Sequence, residues 1–278
     1  MNERLLYTTQ QLVGALHDAG LQEGTTACVH VSLGRLGFNR AGQDALIASR
    51  ELLTALTSVV GDQGTLLVPT YSYSIGRGEV FDPVTTPSTI GFFTEYVRTS
   101  PGWIRSREPM LAVSGRGPDA ARLLGDLPRT SYGNGSLYAR LIETSATVLT
   151  VGLDLHWATF RHHLEELSTV PFRRIKRFSG RLRNEDQSIS EETWEYFAAP
   201  FLDCAAPDGT RLAKILRTEG FARVGRVGIG EVVGISARVY RDQTFCWLKK
   251  DPWFTAKGPP CPKEMIDAHM NPAPERAT

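Results

Sequence analysis

Short apolar runs alternate with segments of helical spacing through the first two-thirds of the chain, and this alternation constrains the fold more than any other feature. The predicted strands are residues 26–32, 64–69, 111–114 and 147–152, and the predicted helices are residues 8–20, 44–60, 90–98 and 137–142. Strands separated by helices form a sheet that the helices cover. The sequence therefore predicts an α/β fold.

The pattern changes after Pro171. Basic residues crowd residues 173–183, an acidic run follows to Glu195, and we interpret this stretch as a hairpin or insertion laid over the first unit. The remaining predictions are a helix at 208–220, a strand at 222–227, a helix at 230–240 and a loosely ordered tail at 257–278. We expect one domain over residues 1–260, with a core at 1–170, a basic insertion at about 171–200 and C-terminal elements at 208–256.

Composition excludes several classes of protein. The 278 residues include 31 basic and 30 acidic side chains, and no stretch gathers Lys and Arg into the stripe that nucleic-acid phosphates require. The first twenty residues lack the order of a signal peptide, and no apolar run has the length of a membrane span. We therefore expect a cytoplasmic protein with neither a nucleic-acid nor a membrane partner.

The four cysteines are widely separated and form no CxxC pair: Cys28, Cys204, Cys246 and Cys261. In a chain of this length they are expected to be buried apolar residues or surface thiols rather than a disulfide framework. No motif supplies a full set of metal ligands, so we expect no metal.

The sharpest motif is Thr159-x-x-His162-x-x-Glu165, which follows the strand that ends near Gly152. Residues three apart share a helix face, so the Glu165 carboxylate is placed to orient the His162 imidazole as a general base. Loops beyond strand ends are where α/β folds carry their sites. By spacing alone, an ordinary solvated helix face is the commoner interpretation.

Two further clusters suit an anionic ligand. The first is His30-Val31-Ser32-Leu33-Gly34 with Gly37, where glycines let backbone amides approach a ligand closely. A plain tight turn explains it equally well. The second is Arg105-Ser106 before Pro109, a guanidinium and a hydroxyl that suit phosphate, although such loops are commonly only solvated.

Taken together, the order of these pieces resembles the aminoglycoside 3-N-acetyltransferase family, with its antibiotic N-acetyltransferase fold. The resemblance runs from near residue 8 to about 180 and recurs weakly at Asp251-Pro252. Besides the clusters above, it rests on Gly61-Asp62-Gln63-Gly64 through Pro69-Thr70, Phe81-Asp82-Pro83, Thr86-Pro87-Ser88, Gly91 and Gly133-x-Gly135-Ser136. It implies a central mixed sheet flanked by helices, with a smaller strand and helix insertion after the catalytic helix.

The resemblance also implies acetyl-CoA as co-substrate and direct transfer to a primary amine. His162 becomes the base, Glu165 its partner, and Thr159 a neighbour of the acyl group. The residues expected to hold coenzyme A are His30, Val31, Ser32, Leu33, Gly34, Gly37, Arg105 and Ser106. Those expected to contact the acceptor are Tyr71, Glu108, Asp154 and Arg173.

Two departures leave the acceptor open. Resistance enzymes of this family usually read Arg-Ser-x-His-Pro with a serine soon after, whereas Glu108 and Ala112 occupy those two positions here. A basic segment, Arg173, Arg174, Lys176 and Arg177, follows the motif helix. It suits an anionic amine better than a polycationic aminoglycoside, unless these side chains bind the donor phosphates or face solvent.

Three questions stay open from sequence. The protein serves biosynthesis, sugar modification or resistance, and it is a monomer or a homodimer. An acyl donor other than a coenzyme A thioester, such as a carrier protein, is one alternative. A small-molecule binder without catalysis is the other, and the intact Thr159, His162 and Glu165 set speaks against it.

Overall fold

The computed structural model describes residues 6–42 and 44–270. Its strands are β1 (Leu6–Tyr7), β2 (Thr26–Val31), β3 (Phe38–Asn39), β4 (Thr65–Pro69), β5 (Val80–Phe81), β6 (Ile104–Arg105), β7 (Val113–Arg116), β8 (Thr147–Val151), β9 (Arg174–Arg183), β10 (Ile189–Ala198), β11 (Arg223–Val227) and β12 (Gly230–Ser236). Its helices are α1 (Thr9–Asp18), α2 (Ala45–Val60), α3 (Phe92–Thr99), α4 (Ala120–Leu124), α5 (Leu137–Glu143), α6 (Phe160–Leu167), α7 (Thr210–Thr218), α8 (Ala237–Lys250) and α9 (Lys263–Met270).

A seven-stranded sheet forms the centre of the fold, in the order β11-β12-β8-β2-β4-β7-β6. Strands β8, β2 and β4 are parallel, and the outer strands pair antiparallel. Successive residues of a strand face opposite sides of the sheet. Accordingly Cys28 enters one apolar core, whereas Ala27 and Val29 enter the other. The predicted mixed sheet flanked by helices is confirmed.

Local sequence accounts for the helix starts. Thr8 caps α1, since its hydroxyl accepts the Gln11 N–H while the Gln11 side chain accepts the Thr8 N–H. Asp44 caps α2 by accepting the Ile47 N–H at 2.7 Å. Both helices therefore begin where the sequence predicts.

The segment after Pro171 forms the predicted hairpin. Strands β9 and β10 pair antiparallel over ten residues each, and the short β5 adds in parallel to β9. Lys176 lies opposite Tyr196 and Arg177 opposite Glu195. This register decides which basic side chains share a face of the hairpin.

The prediction of a helix over residues 230–240 is wrong for its first half. Residues Gly230–Ser236 form β12, and only then does α8 begin. The β-branched side chains of Val232, Val233 and Ile235 are buried between neighbours, as a strand between β11 and β8 requires. Gly234 lies where a Cβ would collide with the carbonyl oxygen of Ala19, so the strand packs closely on α1.

Two predictions for the C-terminal part are also wrong. Residues Lys263–Met270 of the expected loose tail form α9, and the side chain of Ile266 in this helix is fully buried. Cys204 and Cys261 form a disulfide with a Cα–Cα distance of 6.2 Å, although neither was expected to pair. The tail beyond residue 270 and the first five residues lie outside the described residues. In the described part of the chain, no helix has the length and apolar character to cross a membrane.

Candidate active site

The motif helix begins beyond the carboxyl end of β8, a central strand. Gly152 has φ of 67° and lies where a Cβ would collide with the carbonyl oxygen of Ser32, so the chain turns sharply after β8. A short 3₁₀ turn, Leu155–Trp157, leads to Thr159, the N-cap of α6. The sheet thus sets the position of the motif helix.

His162 and Glu165 are in contact, as their spacing predicts. His162 Nδ1 lies 2.8 Å from Glu165 Oε2, and the His162 side chain is 18% exposed whereas that of Glu165 is fully buried. When Nδ1 carries the hydrogen and donates it to Glu165, the lone pair is on Nε2. That tautomer is the one a general base requires.

Two buried arginines surround the carboxylate. Arg161 donates to Glu165 Oε1, and Arg173 Nε lies 2.8 Å from Oε2. Burial alone would raise the pKa of Glu165, but Arg161 and Arg173 outweigh it, so this pKa lies well below its usual range. The buried group therefore contains one carboxylate and two guanidiniums next to His162.

This surplus of positive charge affects the pKa of His162. Burial lowers the pKa of His162 to about 3, and the charge of Arg173 adds to this effect, while Glu165 acts in the opposite direction. Arg173 Nη2 lies 2.9 Å from Nδ1 but acts through its charge only, because a guanidinium cannot accept the hydrogen that Nδ1 carries in this tautomer. An imidazole with this pKa is unprotonated at neutral pH. His162 is therefore in the state that accepts a proton.

We expect the His162 ring to stay neutral as the pH is lowered from 7 to about 4, because its pKa is lowered to about 3. NMR shifts of the histidine Cε1–H groups measure this titration, and the spectrum of His162→Gln assigns the signal. A midpoint near the usual 6.5 would contradict the expected effect of burial and Arg173.

A first cavity, of about 540 Å³, lies at the ends of β2 and β4. The predicted site residues on its walls are His30, Val31, Ser32, Tyr71 and Thr159. Burial lowers the pKa of His30 to about 4, so its neutral Nε2 accepts the Thr159 N–H at 3.3 Å. This bond joins β2 to the start of the motif helix.

Arg35 also lines the first cavity, and its guanidinium lies 5.9 Å from the Trp157 ring centre. No described carboxylate lines these walls. The predicted residues Leu33 and Gly34 form a 3₁₀ turn beside the cavity, and Gly37 follows that turn. The first cavity is therefore basic and suits an anionic ligand.

A second cavity, of about 600 Å³, has His162 and Arg173 on its walls. The hairpin contributes Lys176, Phe178 and Tyr196, and the end of α9 contributes His269. Because Thr159 and His162 are one turn apart, the two cavities approach each other at α6. This helix therefore contributes one predicted site residue to each cavity.

Two residues predicted to hold phosphate lie elsewhere. Arg105 donates to the Thr70 hydroxyl at 3.1 Å and to the Thr86 carbonyl at 2.5 Å, and it lines neither cavity. Ser106 is 2% exposed, and its hydroxyl accepts the Val113 N–H at 3.0 Å. Both side chains fasten the loop before β7.

Two predicted acceptor contacts also lie outside both cavities. Glu108 accepts the N–H groups of Met110 and Leu111, and burial raises its pKa to about 7. Asp154 accepts the Leu155 N–H at 2.7 Å and pairs with Arg217 at 3.4 Å. Of the predicted acceptor residues, Tyr71 lines the first cavity and Arg173 the second.

Several site residues were missed from sequence. Arg161 precedes Glu165 by one helical turn, and that i,i+4 spacing was a usable signal. Tyr132 packs edge-on against His162 with ring centres 5.6 Å apart, and Tyr196 and His269 reach the second cavity from distant segments. No sequence spacing signals such long-range neighbours. In the part of the chain that the structure describes, no three His, Cys, Asp or Glu side chains are grouped to hold a metal ion.

Comparison with known proteins points to one family. The family model described as aminoglycoside 3-N-acetyltransferase matches residues 28–249. A curated relative, aminoglycoside N(3)-acetyltransferase VII of Streptomyces paromomycinus, is 27% identical over 274 residues, which cover 87% of this chain and 92% of that protein. Aminoglycoside N(3)-acetyltransferase III of Salmonella is 26% identical, over 83% of this chain and 85% of its own.

A solved structure supports the same assignment. AAC-IIIb in a binary complex with CoASH has a TM-score of 0.76 and 26% identity, and the match covers 92% of this chain and all of that one.

Proposed function

The chain belongs to the aminoglycoside 3-N-acetyltransferase family, as the sequence resemblance predicted, and from this premise we propose that it transfers the acetyl group of acetyl-CoA directly to a primary amine with His162 as the general base. The observation that carries the proposal is the contact of His162 with the buried Glu165 between two cavities. A named relative of this chain was solved with CoASH, which favours a coenzyme A thioester over a carrier protein as donor.

We assign the donor to the first cavity. The pantetheine arm would lie along Val31 and Ser32, with the thioester next to Thr159. Arg105 and Ser106 use their polar groups inside the protein, so we assign the donor phosphates to Arg35 instead. A guanidinium with no described carboxylate partner suits phosphate oxygens.

The acceptor is assigned to the second cavity, where His162 faces it. The amine nitrogen attacks the thioester carbonyl, and its proton passes to His162 Nε2 as the N–C bond forms. The C–S bond then breaks, and the departing thiolate takes that proton from the imidazolium. Glu165 and the Nδ1–H bond hold the ring in place throughout.

Thr159 is the candidate for stabilising the tetrahedral oxyanion. Its backbone N–H already donates to His30, and its hydroxyl lies within hydrogen-bonding reach of the Tyr71 hydroxyl on the same wall. A donor aimed at the developing charge is commonly among the largest contributions to catalysis. Tyr71 lies on the same wall, and its hydroxyl is 2.8 Å from that of Tyr138.

Direct transfer predicts a ternary complex. With acetyl-CoA and a panel of amines, initial rates should give intersecting double-reciprocal lines, because both substrates must be bound before chemistry. Release of the coenzyme A thiol and the mass of the N-acetyl product measure the reaction. Parallel lines, together with a protein that carries an acetyl group after acetyl-CoA alone, would replace direct transfer with an acyl-enzyme.

A further inference from the structure

We propose that the acceptor amine carries an oxyanion, a phosphate, phosphonate or carboxylate, which binds between Lys176 and Tyr196 in the second cavity. The inference rests on the proposed function, since it takes His162 as the base that deprotonates this acceptor. It narrows the substrate class to amines that are anionic at a point away from the nitrogen.

Ion pairs divide the basic segment into two groups. Arg174 pairs with Asp267 at 2.7 Å and Arg177 with Glu195 at 2.8 Å, so these charges are neutralised outside the cavity. Lys176 and Phe178 both line the second cavity, since alternate residues of β9 point to the same side of the hairpin. The Lys176 ammonium lies 5.3 Å from the Phe178 ring centre, and no described carboxylate forms an ion pair with it.

Tyr196 adds a hydrogen-bond donor opposite Lys176. Tyr132 donates its hydroxyl hydrogen to the Tyr196 oxygen at 3.0 Å, which leaves the Tyr196 hydrogen free for a ligand oxygen. Lys176 and Tyr196 are register partners on adjacent strands. One oxyanion is therefore able to accept from both.

The same walls offer little to a polycation. Asp203 is the one described acidic residue that lines the second cavity, and it already accepts from Lys257. Glu165 lies behind His162 and is engaged by Arg161 and Arg173. A polycationic amine would lose water from several ammonium groups without a free carboxylate to replace it, at a cost in affinity. The proposed acceptor therefore differs from the aminoglycosides to which the names of the relatives refer.

The test compares glucosamine with glucosamine 6-phosphate, which differ in one group, and with the polycation neamine, each in the presence of acetyl-CoA. Lys176→Glu reverses the proposed contact. Lys214→Glu is the matched control, because Lys214 is exposed on α7 and lines neither cavity. Values of kcat/KM are measured for each pair, with the binding of both glucosamines to the CoA-saturated protein as a second readout.

We expect the phosphate to raise kcat/KM by about tenfold or more over glucosamine, as a charge-assisted hydrogen bond does. Lys176→Glu should abolish this preference, whereas Lys214→Glu should keep the wild-type preference within about twofold. Preferred acetylation of neamine would overturn the inference and uphold amine acetylation. Absence of any acetylated amine would overturn the proposed function. If no amine is acetylated, equal affinities for glucosamine and glucosamine 6-phosphate overturn the inference too, whereas a higher affinity for glucosamine 6-phosphate supports it.

Discussion

Replacing His162 with alanine is expected to lower kcat by about 10²- to 10⁴-fold, the usual contribution of a positioned general base. The imidazole is the titratable group that lines the second cavity, contacts Glu165 and stays unprotonated at neutral pH. Acetyl-CoA should still bind, since the donor is assigned to the first cavity, in which His162 has no part. Steady-state kinetics and calorimetry of acetyl-CoA binding measure the two quantities separately.

Two controls make the His162 result specific. His162→Gln keeps a polar side chain of similar size but has no group that accepts a proton near neutral pH, so it should lose as much activity as the alanine variant. His17→Ala removes an exposed histidine of α1 and should retain wild-type rates. Normal acetylation by both His162 variants would show that another group is the base.

The contact between His162 and Glu165 was predictable because it depends on local geometry alone. An i,i+3 spacing places Glu165 under His162 in any α-helix, whatever surrounds it. The capped starts of α1 and α2 were predictable for the same reason. The alternation along β9 also carried a signal, since it separates Lys176 from Arg177, although only the observed sheet shows which side faces the site.

Features that depend on distant segments were not predictable. Cys204 and Cys261 are 57 residues apart and meet only because the segments before α7 and α9 pack together. Arg105 looked like a phosphate ligand, but the fold turns its guanidinium inward to Thr70 and Thr86. The apolar side chains of residues 230–236 fit either the helical or the strand spacing. These residues form a strand because β12 pairs with β11 on one side and with β8 on the other.

Removing the carboxylate of Glu165 is expected to lower the free energy of unfolding by about 3–5 kcal/mol, the usual cost of leaving a buried charge unpaired. In Glu165→Ala, the guanidiniums of Arg161 and Arg173, each only 3% exposed, lose their common partner. Urea denaturation at pH 7 measures the change. Activity should fall as well, because Nδ1 of His162 loses the acceptor that fixes its tautomer.

The pH dependence of this loss separates charge from packing. The pKa of Glu165 is lowered in the folded state from the usual 4.5, so its stabilisation is complete above pH 4.5 and is lost as the pH falls through the folded pKa. The difference between wild type and Glu165→Gln, which keeps the side-chain volume, should therefore be largest near neutral pH and shrink in acid.

A double variant supplies the control for Glu165. Glu165→Gln together with Arg173→Gln removes one charge of each sign, so it should be more stable than Glu165→Gln alone if unpaired charge is the cause. Equal stability of the two would show that packing around position 165 governs the loss.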